Sequence, residues 1–263
     1  MKPFPFDYAR PKDLREVGVL LARGGDGARV LAGGQSLGPM LNFRLARPSM
    51  LVAIHHLPEL RAVEEAADAI TLGACVTHAA IADGRTPDIG RRILSAIAEG
   101  IAYRAVRNRG TIGGSLAHAD PAADWLCALT ALGASVLMWR PGGTRAIPLA
   151  GFVAAPFRTA LEPGEIVQAV RIPRPSKDAR WGYYKACRKP GEFAFAMAAV
   201  LVDAALGIRR AVIGAVGGPP VVLEGERAVP EAVDAALAGS GLDILERRQQ
   251  VVALKRALAQ AAT

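Results

Sequence analysis

Hydrophobic and polar positions first alternate with a helical rhythm. From Pro11 to Arg23, Leu14, Val17, Leu20 and Leu21 fall on one face, and the run stops at Gly24-Gly25-Asp26-Gly27. Short apolar strands are predicted at Arg29–Leu31, Met50–Ile54 and Ala69–Leu72. Helices are predicted over His78–Ala82, Gly90–Ala98 and Ala122–Leu132. Ser135–Trp139 and Arg145–Ile147, with Pro141-Gly142-Gly143 between them, read as a hairpin, and Ile166–Ile172 as a further strand. Pro173-Arg174-Pro175-Ser176-Lys177-Asp178 is the most punctuated stretch and the expected domain boundary. Beyond it, Gly182–Arg188, Ala196–Val202 and Gly207–Val216 read as three strands, followed by two helices. The second helix has Asp243 as N-cap, Glu246 three residues later, and Ile244, Val251, Leu254 and Leu258 on one face. Strands grouped without regular strand–helix alternation predict an α+β fold and count against a doubly wound sheet.

Composition narrows the class. The 263 residues are 51% hydrophobic and 21% charged, enough apolar mass for a packed core. No apolar run approaches the roughly 20 residues of a membrane span. The start, Met1-Lys2-Pro3-Phe4-Pro5-Phe6, carries no continuous apolar signal region, so a cytoplasmic location is expected. Lys and Arg number 32 against 24 Asp and Glu, a net charge of +8. These cations sit in short groups such as Arg91-Arg92, Arg107-Asn108-Arg109 and Arg247-Arg248, and only 5% of residues are aromatic, so nucleic-acid binding is not expected. Cys75, Cys127 and Cys187 are far apart and form no Cys-x-x-Cys, which leaves no zinc ribbon or four-cysteine iron–sulfur motif in this chain.

Two glycine segments carry the candidate chemistry: Ala32-Gly33-Gly34-Gln35-Ser36-Leu37-Gly38 and Thr111-Ile112-Gly113-Gly114-Ser115-Leu116. Glycine permits backbone conformations that expose successive N–H groups, and its missing Cβ lets an oxygen-rich ligand approach the main chain. Facing each other, two such loops would cradle a pyrophosphate; read singly, each is an ordinary tight turn. No Gly-Lys-Ser/Thr pairing exists and no strand leads into Gly-x-Gly-x-x-Gly, so neither a P-loop nor a Rossmann loop is present.

These two segments, with their separation, resemble the FAD-pyrophosphate loops of the medium (flavoprotein) subunit of the molybdenum hydroxylases, within the xanthine dehydrogenase family and of the carbon-monoxide-dehydrogenase medium-chain type. Further similarity runs along the chain: Phe4, Asp7, Tyr8 and Pro11, then Thr71-Leu72-Gly73-Ala74 before Thr77-His78, and Arg107-Asn108-Arg109-Gly110. It continues through Ala117-His118-Ala119-Asp120-Pro121-Ala122-Ala123-Asp124, Leu161-Glu162-Pro163-Gly164-Glu165-Ile166 and Tyr184-Lys185. The resemblance implies a vanillyl-alcohol-oxidase-type (PCMH-type) FAD-binding fold. Residues 1–175 would hold FAD in subdomains of about 1–55 and 56–175, and residues 178–263 would form a C-terminal antiparallel sheet with helices.

Carried over by position, the resemblance assigns Val30, Leu31, Ala32, Gly33, Gly34, Gln35, Ser36 and Leu37 to the first phosphate loop. Thr111, Ile112, Gly113, Gly114 and Ser115 form the second, with Ile101, Ala102, His118, Ala123, Ile166 and Val167 as walls. Asp124 would accept from FAD hydroxyls, Lys185 would place a cation near the flavin ring, and Phe193 would sit over the flavin face. Other readings of the same residues stay open: a first-turn carboxylate for Asp124, an edge charge for Lys185, a core side chain for Phe193. Ala53 stands where relatives commonly carry Asp, and His55-His56 replace a more usual polar or Gly pair. Adjacent histidines rarely point together, so they read as loop residues and not as metal ligands. The C-terminal part looks short, with an abrupt turn at Val216-Gly217-Gly218-Pro219-Pro220.

The function implied is electron transfer: [2Fe–2S] clusters in a small partner subunit, molybdopterin in a large one, and FAD here passing electrons to NAD, a quinone or another acceptor. A dimer of heterotrimers is the expected assembly. Two further readings are a self-contained flavin oxidoreductase of the same fold and a non-catalytic assembly paralogue.

Overall fold

In the computed structural model, which describes residues 2–262, the chain builds three main sheets and a small hairpin. Met1 and Thr263, the outer ends of the expected domains, lie outside the described residues.

The first sheet is parallel. It contains β1 (Asp7–Ala9), β2 (Ala28–Leu31) and β3 (Met50–Ala53) in the order β1-β3-β2. Helix α1 (Leu14–Gly24) crosses between β1 and β2, capped by the Asp13 side chain, which accepts from the Glu16 amide. Val17 enters a core with Met50, Val52 and Leu57, as the apolar spacing predicts. Short helix α2 (Leu37–Asn42) follows the first glycine segment.

The second sheet is antiparallel. After β4 (Val63–Glu65) and β5 (Ala69–Gly73) come helices α3 (His78–Ala82), α4 (Ile93–Glu99), α5 (Arg104–Arg107), α6 (Ile112–His118) and α7 (Asp124–Ala131). The chain returns through β6 (Ser135–Arg140) and β7 (Gly143–Pro148), the expected hairpin, then the small pair β8 (Val153–Ala155) and β9 (Arg158–Thr159), and β10 (Ile166–Pro173). The strand order is β4-β5-β10-β6-β7. Here the structure departs from the loop expected around Thr111–Ser115. Thr111 is an N-cap, its hydroxyl accepting from the Gly114 amide, and both glycines lie in the first turn of α6.

The third sheet has four strands, one more than the sequence pattern shows: β11 (Arg180–Ala186), β12 (Ala196–Asp203), β13 (Ile208–Gly214) and β14 (Val221–Glu224), antiparallel and in chain order. β14 escapes detection because Pro219-Pro220 directly precede it and its run is short. β12 is a continuous apolar run because both its faces are covered. Met197 and Ala199 meet Cys127 and Ala131 of α7, whereas Ala196, Ala198 and Val200 meet the closing helices.

Those helices are α8 (Val233–Ala236) and α9 (Ile244–Ala262). The capping box at the start of α9 forms as expected: Asp243 Oδ1 accepts from the Leu245 and Glu246 amides, and Glu246 Oε2 accepts from the Asp243 amide. Of the expected face, Leu254 is buried and Val251 and Leu258 pack against the same core, whereas Ile244 is exposed. Gln250, Ala253, Ala257 and Ala261 complete the buried face, where small residues let α9 lie close on the sheet. The closest approach is at Gly182 in β11, where an added Cβ would stand 1.8 Å from the Ala257 carbonyl oxygen. Gly182→Ala must therefore push α9 off β11, and is expected to cost about 2–3 kcal/mol. Urea unfolding measures it, and an unchanged midpoint would contradict the close contact.

Candidate functional site

The carboxyl ends of β2 and β3 lie side by side, and β2 runs directly into the first glycine segment. Gly34 adopts φ +74° there, a left-handed conformation that glycine accommodates readily. Among the described residues, the amides of Gly33, Gly34, Gln35 and Ser36 donate to no group of the chain. Consecutive free amides beside a left-handed residue form an anion-binding concavity. The Gln35 side chain donates to the Gly33 carbonyl at 3.1 Å and steadies the turn.

The second segment is built differently. Ile112 and Gly113 donate to Val76 and Ala74 carbonyls, Gly114 to the Thr111 hydroxyl, and Ser115 to the Thr111 carbonyl. Its amides are used within the chain, so residues 112–115 offer no free amide. The two segments come together. A Cβ on Gly33 would lie 2.1 Å from the Arg109 carbonyl oxygen, and one on Gly114 would lie 3.7 Å from Ala32 Cβ. Gly113 packs as closely on Ala74, 2.4 Å from its Cβ, which seats α6 on the second sheet's edge.

A second cluster gathers at the far end of the same chain segment. A cleft of about 600 Å³ is lined by residues that include Gly100, Ala102, Arg107, Lys185, Cys187 and Gly191. Ala102 adopts φ +45°, a strained conformation for a residue with a Cβ. Arg107 holds it there, its guanidinium donating to the Ile101 and Ala102 carbonyls at 3.0 and 2.7 Å. Ile101 pairs with Gly191, where a Cβ would meet the Ala102 carbonyl oxygen at 2.6 Å.

Lys185 reaches from β11 to the first residue of α7. Its Nζ lies 2.9 and 3.0 Å from the two oxygens of Asp124 and donates to the Gly100 carbonyl at 3.3 Å. Tyr183, two residues earlier on the same strand face, donates its hydroxyl to Asp124 Oδ1 at 2.8 Å. Burial outweighs the attraction of Lys185 and holds the Asp124 carboxyl above the usual carboxylate range. Arg107 and Tyr183 are the positioning residues that sequence reasoning missed. Their signal was weak: an Arg inside a basic run, and a Tyr in an amphipathic strand.

The other candidate residues are distributed over the surrounding elements. Val30 and Leu31 end β2, and Leu37 begins α2. Ala123 is the N-cap of α7. Ile112 and Val167 are core side chains of the second sheet, and Ile166 packs with the first. His118 ends α6 with its ring 5.2 Å from that of Phe157. Phe193 is exposed, beyond Gly191. No group of three His, Cys, Asp or Glu side chains among the described residues is placed to hold a metal ion.

A nest of free amides, Cβ-free surfaces facing it, and a cation-lined cleft fit a pyrophosphate-linked dinucleotide with a broad ring system. The fold and site thus define a flavin-binding α+β protein. Residues 4–175 match the family described as the FAD binding domain in molybdopterin dehydrogenase. The chain is 38% identical over 239 residues to the 6-hydroxypseudooxynicotine dehydrogenase complex subunit alpha of Paenarthrobacter nicotinovorans, spanning 90% of this chain and 81% of that one. It is 36% identical over 202 residues to the carbon monoxide dehydrogenase medium chain of Hydrogenophaga pseudoflava, spanning 77% and 70%. The solved carbon monoxide dehydrogenase of Hydrogenophaga pseudoflava superposes with a TM-score of 0.88 at 31% identity, over 100% of this chain and 99% of that one. Quinoline 2-oxidoreductase of Pseudomonas putida 86 superposes with a TM-score of 0.86 at 32% identity, over 100% and 98%. The chain belongs to the FAD-binding medium subunits of the molybdenum hydroxylase family.

The Asp124–Lys185 pair yields a testable energy. Lys185→Met strands a buried carboxylate and is expected to cost about 3 kcal/mol, much of it recovered in the double variant Asp124→Leu/Lys185→Met. Without Lys185 the Asp124 carboxyl rises further above its unfolded value. A carboxyl raised on folding loses stability as pH climbs through that interval, so the deficit should be smaller at about pH 5 than at about pH 8. Denaturant unfolding of the three proteins at both pH values checks this, and a pH-independent deficit would refute it.

Proposed function

We propose that this chain is the electron-transfer subunit of a cytoplasmic molybdenum hydroxylase complex. It would take electrons from [2Fe–2S] clusters in a small partner subunit and deliver them to NAD, a quinone or another acceptor. Substrate hydroxylation belongs to a large molybdopterin subunit, and the assembly is a dimer of heterotrimers. The observation that carries this reading is the pairing of four free amides at Gly33–Ser36 with a cation-lined cleft, both fixed by residues 100–115.

FAD, when bound, supplies a carrier that accepts electrons singly and releases them singly or in pairs. The chain's own residues divide the remaining work. Amides of Gly33, Gly34, Gln35 and Ser36, with the Ser115 hydroxyl, hold the phosphates. Residues 1–175 form the FAD-binding part, and residues 178–263 cover it. Asp124 accepts from hydroxyls of the cofactor through a lone pair that Tyr183 and Lys185 leave free. Lys185 places a positive charge at the cleft, which favours electron density gathering there. Ala102 and Gly191 form part of the cleft's wall, and Phe193, exposed beyond Gly191, would sit over the flavin face.

Two expectations follow from this division. Gly33→Ala drives a Cβ against the Arg109 carbonyl and opens the junction, so FAD affinity should fall at least about tenfold while the circular dichroism of the chain is kept. Near-normal flavin occupancy in the variant would reject the two-segment cradle. The purified chain should also be yellow and reducible by a strong chemical reductant, yet transfer no electrons from an aldehyde, a purine or carbon monoxide to a dye. Activity should appear only with the cluster-bearing and molybdenum-bearing subunits. Turnover by the chain alone would favour a self-contained oxidoreductase.

A further inference from the structure

Three strand ends meet at the carboxyl edge of the parallel sheet, in the order β1-β3-β2. β2 leads into the first glycine segment, β3 into His55-His56, and β1 into Arg10. Ligands collect beyond this edge where parallel strands end.

The charges around His55 are of one sign. Burial, first, and then the charges of Arg109, His56, Arg10 and Arg61 hold its imidazole below the usual value. Arg10, Arg61 and Arg109 have no carboxylate partner among the described residues. The adjacent Cys75, whose Sγ donates to the Ile54 carbonyl, adds no negative charge, because burial pushes its thiol up to about 12. The Nδ1 atoms of both histidines are buried and have no partner in the chain. His56 is anchored by its other nitrogen, Nε2, 2.7 Å from the Pro11 carbonyl, and the two rings meet edge-on at 5.5 Å. Arg109 also supplies the carbonyl against which Gly33 packs, so this collar of cations and the glycine cradle share a residue.

We propose that His55, ringed by Arg10, Arg61 and Arg109, is a proton-linked anion subsite for the pyrophosphate of the dinucleotide held at Gly33–Ser36, so that FAD binding draws a proton onto His55. The inference rests on the FAD reading of the cradle and adds to it a specific coupling. Without ligand, burial and the neighbouring like charges oppose protonation of His55. A pyrophosphate brings negative charge that opposes the local field and favours the imidazolium. The sign follows from linkage. A ligand that raises a group's pKa binds more tightly as pH falls through the interval between the free and bound values, by at most tenfold per pH unit for one proton. FAD affinity should therefore rise as pH falls from about 8 to about 6, then level off once His55 is protonated in the free chain too. His78, the buried histidine nearest the second segment, does not share this role. Burial pushes it down to about 4, and its Nδ1 accepts from Trp125 Nε1 at 3.1 Å.

The test uses the purified full chain freed of flavin. FAD is titrated by quenching of its fluorescence between about pH 6 and about pH 8, and calorimetry in two buffers of different ionisation heat counts protons taken up. The wild-type chain should bind FAD about tenfold more tightly at the lower pH, with uptake approaching one proton. His55→Gln should lose most of that dependence and of the proton uptake. Arg61→Gln should lessen the salt dependence of FAD binding, and riboflavin, which has no phosphate, should bind with no proton uptake. Wild-type affinity that ignores pH, or a His55→Gln variant with the wild-type slope, overturns the proton-linked subsite and leaves the FAD reading standing. Failure to bind FAD at any pH overturns both.

Discussion

Everything at this site depends on one contact without side chains. Gly33 presses its Cα against the Arg109 carbonyl, and Gly114 faces Ala32, so the edge of a parallel sheet meets the first turn of α6 at backbone distance. A methyl group at Gly33 would stand 2.1 Å from that oxygen. In the first segment, held this closely, the turn at Gly34 leaves four amides without a partner in the chain. Because the second segment spends its amides on Ala74, Val76 and Thr111, it is rigid enough to serve as the wall. One half supplies donors and the other supplies shape.

The same stretch of chain, residues 100–115, carries that geometry to the cleft. Arg107 holds the carbonyls of Ile101 and Ala102, and Lys185 holds the carbonyl of Gly100 and the carboxylate of Asp124. Buried ions are an expensive way to join elements, since desolvation offsets most of their attraction. Here the pair fixes α7, β11 and the Gly100 carbonyl relative to one another, with Tyr183 donating to the same carboxylate. Structure and electrostatics are then set by the same bonds.

How much of this was legible from sequence depended on the range of the interactions involved. The first glycine pair, the Asp243 cap, the hairpin at Pro141-Gly142-Gly143 and the apolar run of β12 are local signals, and each matches the element that forms. The asymmetry between the glycine segments was not legible. It depends on carbonyls of Ala74 and Val76, more than thirty residues away. The buried face of α9 was legible only in part, because small residues, not large ones, mark where a helix lies close to a sheet, as Ala257 does over Gly182. Gln250, fully buried, donates to the Ala215 carbonyl at 3.1 Å, a polar core position that hydrophobic spacing cannot show. Tyr183 was hidden for a related reason: its partner is 59 residues away in sequence and is itself a candidate ligand residue.

Amide hydrogen exchange of the full chain, with and without FAD, tests most directly the claim that one backbone junction organises both halves of the site. FAD should slow exchange at Gly33–Ser36, whose amides have no partner in the chain, and also around residues 100–107 and 185–191 that line the cleft. Amides of Ile112–Ser115, already bonded within the chain, should change far less. Equal protection of both glycine segments, or protection confined to some other surface, would contradict the account.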